Sequence, residues 1–253
     1  MDIIEELIAK KPHLEEPLRF YEKTIRFTDA ARELGLSSSQ EQNAYPPRLT
    51  GQILERFLSV FDLPAGSLFP LIQALELGEI DFTRLPLLEV PAFSLPYPED
   101  DLMTLLFLLS RPYFLGKRDV VLLQENCFWE KGACPVCSAR PSLATISQEG
   151  RRQLLCSFCG TKGPCDSPGC PVCRNHDPAR LTTFSFEGEE EFTVLACESC
   201  KAYVKTADKT LFARMTPDLV DLVSLPLDIA IQKKGYKRLS PNPLGMVRMS
   251  VSG

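Results

Sequence analysis

The sequence predicts an α+β chain in which an N-terminal all-α helical domain is followed by two ribbon-like modules of four cysteines each and a C-terminal helix. Cys-x-x-Cys occurs four times, as C-P-V-C at Cys134 and Cys137, C-S-F-C at Cys156 and Cys159, C-P-V-C at Cys170 and Cys173, and C-E-S-C at Cys197 and Cys200. The first half has no cysteine and instead repeats apolar residues at helical spacing. Between the third and fourth pairs, T-T-F-S-F and E-F-T-V alternate around a turn at Glu187 to Glu191, the pattern of a hairpin. The implied segments are 1–129 (helical), 130–166 and 167–210 (the two modules), and 211–253 (closing helix and tail).

Residues 2–10 read as a short amphipathic helical turn, and Pro17 is placed to begin a helix running to Leu34, with Gly35 to end it. Residues 37–47 are a polar connection. Leu49, Ile53, Leu54, Phe57, Leu58 and Phe61 then form the best amphipathic pattern in the chain. A shorter helix is expected from Ser67, as N-cap, to Leu77, with Gly78 past its end. The proline-rich stretch 82–98 reads as extended loop. Glu99, Asp100 and Asp101 suit the positive end of a helix dipole and lead into an apolar run through Leu109. A further helix is expected from Asp119 to about Trp129. The closing helix spans about Pro217 to Lys233, with Pro226 to kink or split it and Asp218, Asp221 and Asp228 on one polar face, a solvated flank or, on the sharper reading, a partner contact.

Each Cys-x-x-Cys turn can aim two sulfurs at one ion, and two such turns make a tetrahedral four-sulfur cage. Eighteen residues separate the first two pairs and 23 the last two, spans that suit short strands joining two knuckles. The expected metal ligands are therefore Cys134, Cys137, Cys156 and Cys159 for one ion, and Cys170, Cys173, Cys197 and Cys200 for the other. Iron and zinc both suit a sulfur-only tetrahedron. The competing readings are four redox dithiols, two disulfide-stapled modules, or an interleaved cage in which the first pair meets the third. Redox motifs seldom come four to a module, and interleaving would make the longer intervening segments cross. Cys127 reads as a small buried hydrophobe, Cys165 as a spare loop cysteine and His176 as a substitute ligand that eight paired sulfurs make unnecessary.

Charge narrows the function. Residues 1–125 carry 12 Lys/Arg against 20 Asp/Glu, residues 126–210 carry 10 against 10, and residues 211–253 carry 6 against 3. A four-thiolate cage with a divalent ion adds about −2, so the cysteine region is a poor match for a phosphate backbone, whose binding needs Lys and Arg. Clustered rather than chain-wide cysteines favour a reducing compartment. No signal-like start and no apolar run of membrane length is present, so a cytoplasmic protein without a membrane span is expected. Phosphate loops, nucleotide fingerprints and triad spacings are lacking, and a closed four-sulfur site suits structure or electron handling; no catalytic residue is expected.

Two stretches across the cysteine region carry a resemblance: W-E-K-G-A-C-P-V-C-S-A-R-P from Trp129 to Pro141, and G-R-R-Q-L-L-C-S-F-C from Gly150 to Cys159. A-C-E-S-C-K-A-Y-V-K (Ala196 to Lys205) and the segment Asp218 to Pro243, with its Gly-Tyr and Asn-Pro, extend it. The chain resembles the formate dehydrogenase accessory protein (FdhE) family, over residues 129–243 in motif and over the first half in length and helical character. The resemblance implies two rubredoxin-like/zinc-ribbon modules behind a helical domain, with iron favoured in the cell. It implies a maturation factor that binds the catalytic subunit of a respiratory formate dehydrogenase in the cytoplasm. The family's Trp and Arg between the second and third pairs are replaced here by G-T-K-G-P-C-D-S-P-G, Gly160 to Gly169, which inserts Cys165. Two other functions stay open on the residues alone: a thiol-based sulfur or redox carrier, and a nucleic-acid-binding zinc ribbon.

Overall fold

Apolar spacing in the first half becomes helices, and the computed structural model, which describes residues 2–34, 47–80, 95–122, 129, 132–165 and 168–245, gives their bounds. They are α1 (Ile3–Lys10), α2 (Glu15–Glu33), α3 (Pro47–Phe61), α4 (Phe69–Glu76) and α5 (Glu99–Leu122). Asp2 caps α1 by accepting the Ile4 N–H at 3.1 Å, satisfying one of the donors a helix start leaves free. Leu18, Tyr21, Phe27 and Ala31 form the buried stripe of α2, against which α3 sets Ile53, Leu54 and Phe57. Phe27 meets Phe57 edge-on with centroids 5.1 Å apart, and Phe57 stacks on Phe61 at 4.4 Å.

Two helix expectations need correction. Ser67 is not a cap: α4 starts two residues later behind Leu68, and the Ser67 carbonyl accepts the Tyr97 hydroxyl at 3.0 Å. Pro70 in the first turn sets the start instead, because its missing N–H would be unpaired there anyway. Nor does a separate helix begin at Asp119. The chain runs unbroken from Glu99 through Pro112 to Leu122, since a proline inside a helix removes one hydrogen bond but does not force termination. Asp119 lies in the last turns, bound by Arg32 at 2.6 Å and by Arg118. Trp129 is not helical. The expected connection at 37–46, Gly35, most of the 82–98 loop, and Cys127 lie outside the described residues.

The chain divides into two compact units, Met1–Val120 and Val121–Gly253. In the second, six strands form one sheet: β1 (Leu143–Ile146), β2 (Arg152–Leu155), β3 (Lys162–Pro164), β4 (Leu181–Ser185), β5 (Phe192–Cys197) and β6 (Tyr203–Ala207). Their order is β3-β2-β1-β6-β5-β4. The expected hairpin is β4–β5, antiparallel from Leu181 opposite Cys197 to Ser185 opposite Thr193. Each cysteine module is a three-stranded antiparallel ribbon, and the two join where β1 runs parallel to β6, Leu143 beside Lys205 and Ala144 beside Thr206.

Pro226 splits the closing helix, as its missing donor demands, into α6 (Pro217–Val223) and α7 (Leu225–Lys233). The broken turn is held by Ser224, whose hydroxyl donates to the carbonyls of Val220 at 2.9 Å and Asp221 at 3.0 Å. Among the described residues no helix is long and apolar enough to cross a membrane.

Candidate metal centres

Each Cys-x-x-Cys pair sits on a turn built the same way. The N–H of its first cysteine donates to the carbonyl five residues on: Cys134 to Ala139, Cys156 to Thr161, Cys170 to Asn175 and Cys197 to Ala202, at 2.8–2.9 Å. To close that loop, the residue after each pair takes a left-handed conformation: Ser138 (φ 62°), Gly160 (74°), Arg174 (60°) and Lys201 (57°). Three of the four are not glycine, so each stores about 1–2 kcal/mol of local strain. Arg174→Gly is therefore expected to stabilise the protein by about 0.5–1 kcal/mol, after glycine's own entropic cost, read as a rise in unfolding midpoint.

The turns bring the sulfurs together as Cys134/Cys137/Cys156/Cys159 and Cys170/Cys173/Cys197/Cys200, the sequential and not the interleaved grouping, with all four sulfurs of each group within 4.8 Å of one another. Cys134–Cys159 and Cys137–Cys156 stand 3.5 Å apart, and Cys170–Cys200 and Cys173–Cys197 3.7 Å. A disulfide would need about 2.05 Å, so none of these cysteines is in one. A regular tetrahedron with metal–sulfur bonds of about 2.3 Å has edges of about 3.8 Å. The donor set and its spacing thus fit an ion, and both groups could hold one. Cys165, also in no disulfide, belongs to neither group.

Crowding four thiols splits their acidities. Burial and the neighbouring sulfurs push Cys137 up, and burial also raises Cys156. In the second group burial is again the largest influence on Cys170, which lies at about 11. On Cys197 burial is overcome by backbone N–H groups of Cys200 and Ser199 and by the thiols of Cys173 and Cys170, leaving it at about 7. Cys197 ionises readily while Cys170, Cys137 and Cys156 resist, the condition that a bound cation relieves.

Behind the sulfurs lies a cluster that the sequence did not reveal. The solvated flank expected for Asp218, Asp221 and Asp228 is not what forms, because Asp221 and Asp228 are fully buried. Lys205 of β6 reaches Asp221 at 2.7 Å and Asp228 at 2.6 Å, and Arg238 reaches the same two at 2.5 and 3.1 Å. Tyr203 donates to Asp228 at 2.5 Å, and the Arg238 Nε donates to the Ser240 carbonyl at 2.6 Å. Two positive and two negative charges cancel, which is what permits them in a dry core. Burial works to raise the Asp221 carboxyl, but the adjacent Arg238 and Lys205 hold it well below the usual range.

This cluster ties the closing segment to the knuckles. Arg238 Nη2 lies 3.3 Å from the hydroxyl of Ser157, inside C-S-F-C. Tyr236 donates to Glu198, inside C-E-S-C, which also pairs with Lys201. Thr161 places its hydroxyl 3.0 Å from the Cys159 sulfur. In sequence, only Gly160 hinted at the turn geometry; the partners of Asp221 and Asp228 lie up to 25 residues away along the chain.

Gly132 (φ 62°) packs against the third knuckle so tightly that an added Cβ would stand 2.2 Å from the Pro171 carbonyl oxygen. Gly132→Ala is expected to cost about 2–4 kcal/mol, combining left-handed strain with overpacking. Thermal unfolding would show the loss, and metal analysis would locate it at the second cysteine group.

Residues 169–244 match the family described as FdhE, C-terminal domain. A protein FdhE homolog from Aquifex aeolicus is 31% identical over 125 residues, covering 48% of this chain and 44% of that one. A homolog from Stutzerimonas stutzeri is 32% identical over 145 residues, covering 54% and 45%. The chain thus matches less than half the length of these relatives. The crystal structure of the FdhE protein from Pseudomonas aeruginosa superposes with a TM-score of 0.62 over 96% of this chain and 92% of that one, at 21% identity. Residues 169–244 are thus similar to the FdhE C-terminal domain, and nearly the whole chain shares the fold of that solved FdhE protein.

Proposed function

We propose that this chain is a cytoplasmic accessory factor that binds the catalytic subunit of a respiratory formate dehydrogenase during its assembly. In this reading Cys134, Cys137, Cys156 and Cys159 hold one metal ion, and Cys170, Cys173, Cys197 and Cys200 a second. The observation that carries it is the coincidence, within residues 169–244, of FdhE C-terminal-domain sequence and a four-sulfur group at tetrahedral spacing.

The ions are iron or zinc, with iron favoured in the cell. Four sulfurs fill a tetrahedron and leave no position for a reacting water, so the chain works by presenting a surface and not by catalysis. Segments 1–129, 130–166, 167–210 and 211–253 remain the working division, with the last three acting as one body through their shared sheet and buried charges.

Affinity capture of the full chain from cells making formate dehydrogenase, with metal analysis of what is captured, tests this. Recovery of the catalytic subunit with two ions per chain is expected. Capture that returns no formate dehydrogenase subunit under those conditions would overturn the assignment of the partner.

A further inference from the structure

The two cysteine groups differ in their distance from solvent. All four members of the first are buried. Of the residues between its cysteines, Val136, Ser157 and Phe158 are also buried and Pro135 is exposed, and the Cys159 sulfur is covered by Thr161. In the second group Cys170 and Cys197 are buried, but Cys173 is exposed and Cys200 half-buried. Arg174 and His176 beside Cys173 are exposed as well. Each close sulfur pair of this group therefore joins one buried cysteine to one open one: Cys170 to Cys200, and Cys197 to Cys173.

We infer that the second group is an exchange site, where an external thiol can replace Cys173 on the ion, whereas the first is a closed structural site. The inference rests on the metal reading above. Ligand exchange at a four-coordinate ion needs a path for the incoming sulfur and room for the departing one to swing away. The first group offers neither, and the second offers both at Cys173. In the step, the sulfur of the incoming thiol bonds to the ion and the bond from the ion to Cys173 Sγ breaks. The proton of the incoming thiol passes to Cys173, and no electron is transferred. Cys170, Cys197 and Cys200 keep the ion in place, so this surface presents a metal with one replaceable ligand.

Limited iodoacetamide treatment of the metal-loaded full chain, with peptide mapping and metal counting, tests it. The sulfur–carbon bond forms as iodide leaves, so the modified cysteine can no longer serve as a thiolate. Cys173, then Cys200, should react at least about tenfold faster than Cys134, Cys137, Cys156 and Cys159, because reactivity follows access to the thiolate. One ion should leave and the other stay. In the cadmium-substituted chain, added glutathione should shift one of two cadmium resonances. Cys173→Ser removes the replaceable sulfur, so it should itself move that resonance and leave the first-group resonance unmoved.

Equal alkylation of both groups, a response of both resonances to glutathione, or a response of the first-group resonance alone would overturn the inference while leaving the metal reading intact. A chain that binds no ion at all would overturn both.

Discussion

Arg238→Met is expected to destabilise the second unit by about 3–5 kcal/mol, a large part of the stability of an ordinary domain. The guanidinium uses all three nitrogens at once: Nη1 and Nη2 on Asp221 and Asp228, and Nε on the Ser240 carbonyl. Its removal leaves two buried carboxylates facing Lys205 alone, a net negative charge in a dry core. Arg238→Lys should recover little of the loss, since a single ammonium cannot span that fork. Pairing Arg238→Met with Asp221→Asn restores neutrality and should cost less than Arg238→Met alone. Denaturant unfolding of these variants and of Asp221→Asn alone checks this, and additive losses would show that the charges act independently.

The same cluster fixes a pH dependence. With Asp221 depressed in the folded chain, the unfolded chain binds its proton first as pH falls. The pair's contribution is therefore complete above about pH 4 and drains away below it. In Arg238→Met the carboxyl loses its main partner, so the acid limb of the stability profile should move to higher pH. Metal content must be followed in parallel, because protons also compete for the sulfurs.

Cys137→Ser, or chelation, is expected to have the largest effect of all on the first ribbon. Its three strands are only three or four residues long, too few to hold a sheet without the knuckles. Binding of a structural ion to such small modules contributes about 10–16 kcal/mol. Cys137→Ser should lose one ion and chelation both; in either case amide protection in β1 to β3 should fall, and protection in α2 and α3, which have their own aromatic core, should persist. Retained protection in β1 to β3 without metal would show that the sulfurs are not structural.

Much of this was legible in advance. Cysteine spacing announced two sequential four-sulfur groups, because a knuckle is a local structure and its chemistry is written in four consecutive residues. Phe57 and its neighbours announced α3 by period alone. The run through Leu109 and the start expected at Asp119 belong to one helix, because residues buried on both sides of Pro112, from Leu106 to Leu115, pack it as one rod.

The sequence by itself determined which elements form and which sulfurs gather, for these depend on period, turn chemistry and short spans. Only the tertiary structure decided that two ribbons share one sheet through β1 and β6, that Asp221 and Asp228 are interior ions, and that one cysteine group faces water while the other does not. Those outcomes depend on partners distant along the chain, and a charge reads the same in sequence whether it ends in solvent or beside an opposite charge in the core.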